Sequence, residues 1–545
     1  MGIRRYSVAT AAVCAACGAA PRAGRAPAPP IPAVSTKALD AHLKYLADDL
    51  LEGRAPGTRG GMLAAKYIAA QFEAFGLEPA GPDGSYFQPV ALVGIMPHPS
   101  LMWGKAGAAH ALKYRDEFVA WAERPEPHVA DDGDVVFVGY GIKAPEWQWD
   151  DYKDTDLRGK VLLLLVNDPG LQDSTVFNGK ALTHYGRWTY KLEEAARRGA
   201  LGAILVHTTE SATYPWEVVR GSWSVEQFKL DRAMTQGIAF AGWVTHVAAQ
   251  SALAETGLDL DSLTRAAARR DFRPVPTGLH ATVDIGSDVR HIRSENVVAK
   301  LTGSDPALAG QAVLITAHWD HKGIGPAVNG DSIYNGAVDN ASGVAALLAA
   351  SQALVQIHPR PKRTVLFVAT TAEESGLLGG EAYAQAPLVP LERTAAELNL
   401  DGANVLGATR DIDALGLDRS TLGPLFLAAA RAESLTVVHE PDTRGLFYRS
   451  DHFPLARAGV PALSIQPGKD FVGRPAGWGR EQEAEYFRER YHRPSDEYRP
   501  SFTYEGMTQE VRVVVRLALA VGNAPEAPRW LPTSEFQRPG NRVAP

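Results

Sequence analysis

The sequence predicts an α/β protein in which a doubly wound mixed sheet carries helices on both faces and is interrupted by a β-rich insert. Two helical patterns come first, in residues 35 to 112. Residues from about 130 to 206 then take on a strand-rich texture, and strand and helix alternate from about residue 290 onward. Alternation of strand and helix is typical of an open sheet whose strands run mostly parallel.

The individual elements follow from apolar periodicity. Leucines at helical spacing begin at Leu39, and a second helical pattern passes through Phe72 to a stop at Gly76. In the insert we expect strands at Val135–Val138, Val161–Val166 and Ala203–Val206, with a helix that ends at Gly199. In the last part we expect strands at Val313–Ala317, Thr364–Ala369, Leu398–Leu400 and Ala462–Ile465, and a helix over Val344–Leu354.

Length and charge limit the class of protein. The 545 residues are enough for about three to four domains, and the 45% hydrophobic content can fill large cores. The net charge of -7 provides no basic field for nucleic acid or for an anionic membrane surface. We therefore expect neither partner.

The first residues resemble an export signal. Arg4 and Arg5 precede an uncharged run that ends in small residues near Ala20, so residues 1–20 are predicted to be a signal peptide for a periplasmic, cell-envelope or extracellular protein. Cys17 is a minor candidate for a lipid anchor. Residues 21–34 form a Pro- and Ala-rich linker, and no later apolar run reaches the ~20 residues of a membrane span.

Acids and histidines follow the predicted strands of the last part. His318 comes directly after Val313–Ala317, Glu373 and Glu374 follow the next strand, and Asp401 ends Leu398-Asn399-Leu400-Asp401. Asp339 lies between them in a glycine-containing loop. In open α/β sheets ligands bind beyond the carboxyl ends of the strands, so these side chains should converge. Imidazole and carboxylate ligands without thiolate suit zinc, and also manganese or cobalt.

Five segments together resemble one family. They are His318-Trp319-Asp320, Gly336-Ala337-Val338-Asp339-Asn340-Ala341-Ser342-Gly343, Glu373-Glu374-Ser375-Gly376-Leu377-Leu378-Gly379, Asn399-Leu400-Asp401 and Tyr491-His492. The chain is similar in these segments to the di-zinc exopeptidases that include bacterial leucine aminopeptidases and glutamate carboxypeptidase II. The resemblance implies a secreted or envelope peptidase acting on peptides, most simply an aminopeptidase.

The same resemblance implies roles for the site residues. One zinc ion would be held by His318, Asp339 and Asp401, and a second by Asp339, Glu374 and His492, with Asp339 as the bridge. Glu373 would be the general base, and Tyr491 would stabilise the developing oxyanion. The resemblance also implies a cis peptide bond after Asp339.

Further expectations concern the neighbours of these residues. Asp320 should accept a hydrogen bond from His318, and Asp496 could orient His492. His321 stands where many relatives have serine, and Ser450-Asp451-His452 offers a rival histidine.

The predicted organisation is a peptidase domain in two pieces, residues 35–112 and 286–524. Between them lies an insert, residues 113–285, and an irregular tail follows, residues 525–545. Gly159-Lys160-Val161 and the stretch from Lys191 to Ala203 resemble the protease-associated domain of several exopeptidase families.

Three other functions stay open. A carboxypeptidase of the glutamate carboxypeptidase type would differ in which peptide terminus it holds. A glutaminyl cyclase-like enzyme would use one zinc ion and close an N-terminal ring, and a receptor-like homologue would not catalyse at all.

Overall fold

A computed structural model describes residues 30–105, 107–231 and 237–537 of the protein. The predicted signal peptide and most of the predicted linker lie outside the described residues.

Thirteen α-helices are present among the described residues. They are α1 (Thr36–Leu46), α2 (Arg59–Ala74), α3 (Trp188–Arg197), α4 (Thr209–Ala212), α5 (Trp216–Trp223), α6 (His246–Glu255), α7 (Leu260–Ala267), α8 (Gly343–Val355), α9 (Leu378–Gln385), α10 (Leu422–Ala432), α11 (His452–Arg457), α12 (Trp478–Glu489) and α13 (Glu505–Asn523).

Twenty strands accompany these helices. The first eleven are β1 (Glu78–Pro79), β2 (Phe87–Lys105), β3 (His110–Ala111), β4 (Phe118–Ala122), β5 (His128–Phe137), β6 (Lys143–Ala144), β7 (Trp149–Asp150), β8 (Val161–Leu165), β9 (Gly202–His207), β10 (Gln227–Leu230) and β11 (Phe240–Thr245). The others are β12 (Val275–Leu301), β13 (Ala312–His318), β14 (Gly323–Val328), β15 (Asp331–Tyr334), β16 (Thr364–Thr370), β17 (Thr394–Leu400), β18 (Asp411–Leu415), β19 (Thr436–Val437) and β20 (Ala462–Gln466). Every strand predicted above is found. Six of the seven begin within four residues of the predicted start, whereas β5 begins seven residues before Val135.

One mixed sheet forms the centre of the fold. Its strand order is β19-β18-β20-β17-β13-β16-β12-β5-β8-β9-β11-β4. β20, β17, β13 and β16 are parallel to one another, and so are β5, β8, β9 and β11. β12 is antiparallel to both β16 and β5, and the pairs β18–β20 and β11–β4 are antiparallel as well. The expected mixed α/β sheet is therefore confirmed.

The long strand β12 joins the two parts of the sheet. Its last residues pair with β16, its first residues pair with β5, and between Leu279 and Val297 it pairs with β2 without interruption. The predicted boundary at 285/286 thus falls inside one continuous strand. Division of the chain into a peptidase domain and an insert stays a prediction.

Alternate residues of the central strands face opposite layers, as side chains of a strand must. On one face, Val313 and Ile315 of β13 join a core that also contains Leu43 of α1, Ile68 of α2 and Val514 of α13. On the other face, Leu314 of β13 packs with Tyr383 of α9 and Leu455 of α11. Both N-terminal helices therefore pack on the sheet that carries the site.

Two features depart from the simplest expectation. The helical stretch Ala337–Val355 is long and apolar enough to span a membrane by length and composition, but 83% of its apolar window is buried inside the protein, where it forms the core helix α8. The described part of the tail is irregular, yet it buries Trp530 and Phe536 against Phe447 and Phe453.

Candidate metal centre

Three neighbouring parallel strands bring acids and histidine to one edge of the sheet. His318 is the last residue of β13, Asp401 directly follows β17, and Glu373 and Glu374 open a short 3-10 helix after β16. Because β17, β13 and β16 are adjacent and parallel, their carboxyl ends meet at this edge. The expected convergence of these four residues is present.

Asp339 enters from an irregular helical turn, Ala337–Ser342, which leads into α8. Gly336 adopts a φ of +60°, and a Cβ there would lie 2.2 Å from the carbonyl oxygen of Asp339, so this position requires glycine. The peptide bond between Asp339 and Asn340 is cis, as the resemblance implies.

The two oxygens of Asp339 face two different histidines. Oδ1 lies 3.2 Å from Nε2 of His318, and Oδ2 lies 3.4 Å from Nε2 of His492. His318 Nε2 is also 3.3 Å from Asp401 Oδ1, and His492 Nε2 is 3.0 Å from Glu374 Oε2. One carboxylate thus connects two clusters, each with one histidine and one further acid.

The adjacent residues Glu373 and Glu374 occupy opposite electrostatic environments. Burial raises the pKa of Glu373 well above its ordinary value, and Asp401 adds to the rise against the opposing charge of His318. For Glu374 burial acts in the same direction, but the charges of His492, Lys322 and His321 outweigh it and hold its pKa well below the ordinary value. The pKa values of these two adjacent carboxyl groups are therefore shifted in opposite directions.

The donor set fits a divalent cation. His318, Asp339 and Asp401 can each place one ligand atom within 4.8 Å of the others, and so can His321, Asp339 and Glu374. Asp320 Oδ2 and His321 Nε2 are buried and have no hydrogen-bond partner in the described part of the chain. Buried carboxylates assembled in this way are destabilising unless a cation balances them.

Two predictions about contacts that support the site histidines are wrong. Nδ1 of His318 faces the backbone carbonyl of Asp320 at 3.2 Å, and the Asp320 carboxylate is 3.8 Å away because its Oδ1 accepts the Glu373 backbone N–H. Among the described residues no hydrogen bond joins Asp496 to His492; Asp496 instead accepts the backbone N–H groups of Val338 and Asp339 and so holds the loop that carries Asp339.

The structure shows where His321, His452 and Asp451 lie, whose roles the sequence left open. Nδ1 of His321 lies 2.5 Å from Glu374 Oε1, inside the site. His452 packs edge-on against Phe447 with ring centroids 4.7 Å apart and is in none of the groups of potential ligands. Asp451 accepts a hydrogen bond from Thr370 Oγ1 at the end of β16, and burial raises its pKa to about 6.

Lys322, Ser222 and Arg54 contribute contacts that sequence reasoning missed. The ammonium of Lys322 lies 3.1 Å from Glu374 Oε2 and donates to the Glu374 carbonyl at 2.8 Å. Ser222, at the end of α5, places its Oγ 3.2 Å from Nδ1 of His492. Ser222 is separated from His492 by 270 positions, so no local pattern could reveal this contact.

Arg54 is buried and holds two ligand-bearing loops together. Its guanidinium donates to the carbonyls of Trp319 at 2.8 Å and Gly336 at 3.0 Å, and also to Leu46 and Asn335. Trp319 follows ligand candidate His318, and Gly336 precedes Asp339. The sequence signal was slight: Arg54 stands alone in a Gly- and Pro-containing turn.

A cavity of about 830 Å³ opens onto the centre. Residues of the site line one wall, and residues of the 113–285 segment line another, including Arg187, Trp188, Tyr214, Ser222 and Trp223. The volume is in the range of sites that bury a small ligand. Both parts of the sheet therefore shape the space in front of the potential ligands.

Comparison with known proteins agrees with this geometry. Residues 296–516, which include all the ligand candidates, match the model of peptidase family M28. Over this stretch the chain is similar to peptidase family M28. The matching stretch begins inside β12 and ends inside α13.

Curated relatives match over short stretches. A probable zinc metalloprotease of Pyrenophora teres f. teres is 40% identical over 106 residues, which is 19% of this chain and 22% of that protein. A vacuolar membrane protease of Lachancea thermotolerans is 36% identical over 121 residues, 22% of this chain and 11% of that protein. The chain thus spans less than a quarter of the length of these relatives.

A solved structure shares the fold over nearly the whole chain. An aminopeptidase from Aneurinibacillus sp. strain AM-1 aligns with 93% of this chain and 98% of its own, with a TM-score of 0.51 and 19% identity. The shared fold thus extends well beyond the stretch that matches the family model, and it includes most of residues 113–285.

Proposed function

We propose that this chain is a zinc-dependent exopeptidase of the M28 type and that it removes amino-terminal residues from peptides. The observation that carries the proposal is the two-sided placement of Asp339, whose oxygens face His318 and His492 separately. A carboxylate in that position suits a pair of cations better than one, since each oxygen has its own histidine and its own second acid.

Two zinc ions would be held as follows. His318, Asp339 and Asp401 would bind the first, and Asp339, Glu374 and His492 the second. Zinc bound there would act as a Lewis acid, polarising the scissile carbonyl and making water a better nucleophile. Ser222 would fix the ring of His492 through Nδ1, as groups behind a metal ligand commonly do.

Glu373 is the proposed general base. Its carboxylate borders the cavity, with Oε2 3.9 Å from His318 Nε2, and its raised pKa favours taking up a proton. Glu373 would accept the proton of the attacking water and return it to the leaving amine. Tyr491, which also lines the cavity and stacks on His492 with ring centroids 3.8 Å apart, would donate its hydroxyl to the carbonyl oxygen of the substrate.

The wider setting is also a proposal. Residues 1–20 would direct export to the periplasm, envelope or outside of the cell. The 113–285 segment would act as a protease-associated-like cover, because its residues form one wall of the cavity.

A substrate panel tests the function. The purified chain, loaded with zinc, should hydrolyse leucine p-nitroanilide and unblocked dipeptides but not the same compounds with an acetylated amino terminus. Cleavage only of N-blocked peptides from their carboxyl end would favour the carboxypeptidase alternative. Ring closure of N-terminal glutamine without hydrolysis would favour the cyclase, and no turnover with any of the three would favour a receptor-like protein.

A further inference from the structure

Two arginine side chains line the cavity beside the metal centre without an acidic partner. Arg187 immediately precedes α3, and Arg449 immediately follows the short 3-10 helix Leu446–Tyr448. Neither guanidinium comes within 4.0 Å of a carboxylate in the described ranges, and the Nε of each is buried and without a hydrogen-bond partner there. Charged side chains that are this well enclosed usually have a partner of opposite charge, so two neighbouring arginines without a carboxylate partner need an explanation.

The guanidinium of Arg449 is held in a fixed orientation. One Nη2 donates to Thr213 Oγ1 at 2.9 Å and to the carbonyl of Ala212 at 3.3 Å, and the group lies over the ring of Tyr214 at 5.3 Å from its centroid. These partners all come from the 113–285 segment. They are neutral, so they position the positive charge and leave it unbalanced.

Arg187 is close enough to Arg449 for the two charges to oppose each other. Burial lowers the pKa of Arg187 to about 9, and the charge of Arg449 contributes to the lowering. Asp442, whose charge also reaches Arg187, accepts the backbone N–H groups of Leu446 and Phe447 at 2.9 Å each. Two like charges in a poorly solvated site are unfavourable, and an anion between them would relieve that cost.

Tyr491 connects this pair to the metal centre. Its ring stacks on His492, and the charge of Arg449 reaches its hydroxyl, as does that of Asp339. The arginines therefore border the same cavity as the potential metal ligands.

We propose that Arg187 and Arg449 form an anion subsite that binds a carboxylate of the peptide substrate. The inference rests on the proposed function and narrows its substrate class. A guanidinium presents a planar fork of N–H donors that matches the two oxygens of a carboxylate. The carboxylate can come from an acidic side chain or from the free carboxyl terminus of a di- or tripeptide.

Equilibrium binding to the full zinc-loaded chain tests the subsite. In the Glu373→Gln background, which should stop turnover, calorimetry would compare the tripeptide Ala-Ala-Ala with its carboxyl-terminal amide. A second pair, Ala-Glu-Ala amide and Ala-Gln-Ala amide, isolates the acidic side chain. The carboxylate member of at least one pair should bind about 10- to 100-fold more tightly, and the pair that discriminates identifies the source of the carboxylate. Equal affinities within both pairs would overturn the proposal.

Variants of Arg187 and Arg449 test whether these two side chains cause the difference in affinity. Arg449→Gln and Arg187→Gln should each remove most of the difference in affinity between the carboxylate and amide peptides. Arg449→Lys keeps the positive charge but loses the planar set of N–H donors, so it should retain only part of that difference. Arg457→Gln is the matched control, since Arg457 lines the same cavity but is half-exposed and lies 3.3 Å from Glu193. An equal loss in Arg457→Gln would contradict a specific pair. If Arg187→Gln fails to fold, the two Arg449 variants decide the question.

Failure of the subsite and failure of the proposed function give different results. Turnover of the wild-type chain on the same peptides, with no difference in affinity between acid and amide, would refute the subsite alone. Discrimination lost in Arg449→Gln, together with no peptide hydrolysis by the wild type, would support the subsite and refute the exopeptidase.

Discussion

Replacement of Arg54 by methionine tests whether one buried cation organises the metal centre from behind. The side chain is 1% exposed, and it donates to four carbonyl oxygens on three separate segments. Two of those segments carry His318 and Asp339. Methionine fills a similar volume but donates nothing, so the loops lose their common anchor.

The expected loss of stability in Arg54→Met is the difference between two opposing contributions. Four carbonyls that lose a buried donor cost about 1–2 kcal/mol each, or about 4–8 kcal/mol together. Against this, burial lowers the pKa of Arg54 to about 10 despite the nearby Asp320 and Asp496, so keeping the charge costs about 3 kcal/mol, at ~1.36 kcal/mol per pH unit. The net loss of stability in Arg54→Met is then about 1–5 kcal/mol.

Urea unfolding and zinc analysis on the same samples provide the assay. With a slope of about 3 kcal/mol/M, the urea midpoint should fall by about 0.3 to 1.7 M, and zinc content should fall as well. Arg363→Met is the matched control, because Arg363 is equally buried and donates to Gln311, Val521 and Ala524 far from the ligands along the chain. It should lose stability and keep its zinc. An unchanged midpoint and full zinc in Arg54→Met would refute the reasoning.

Three further changes have defined outcomes. Ser222→Ala should weaken zinc binding about 10-fold, because the ring of His492 loses its hydrogen-bond partner. Ser224→Ala is the control and should leave zinc binding unchanged, since Ser224 donates to the Arg220 carbonyl instead. Competition with a zinc chelator measures both affinities, and equal effects of the two variants would contradict the assigned contact. Burial raises the pKa of Glu510 to about 8. Between about pH 4.5 and 8 the folded chain therefore keeps a proton that the unfolded chain loses, and the free energy of unfolding falls by up to ~1.4 kcal/mol per pH unit as the pH rises. Glu510→Gln should remove that slope in urea midpoints, and an unchanged slope would refute it. Trp530→Ala should cost about 3 kcal/mol, because the tail packs this ring into a core cluster, and a smaller loss than 1 kcal/mol would show a loosely held tail.

The sequence predicts the parts of the site that lie at strand ends. Apolar runs such as Val313–Ala317 can only be buried strands here, and the carboxyl ends of parallel neighbours must meet at one edge. For this reason His318, Glu373, Glu374 and Asp401 are brought together as expected. Local pattern and sheet topology are sufficient for that result.

The remaining contacts depend on tertiary packing. Asp320 and Asp496 lie within four positions of a histidine in sequence, but both accept backbone N–H groups of the site loops, because the backbone donors of such loops need acceptors. Ser222 reaches His492, and Arg54 reaches Gly336, across separations of 270 and 282 positions. No periodicity or motif encodes such distant partners.

Metal content and turnover of two neighbouring variants test the central claim most directly. Glu373→Gln keeps size and shape but cannot take a proton, so it should hold two zinc ions per chain while aminopeptidase turnover falls by at least ~10²- to 10⁴-fold. Glu374→Gln removes a charged ligand candidate that lies 3.0 Å from His492 Nε2, so it should lose about one zinc ion per chain. Full activity in Glu373→Gln, or two tightly held zinc ions in Glu374→Gln, would contradict the account.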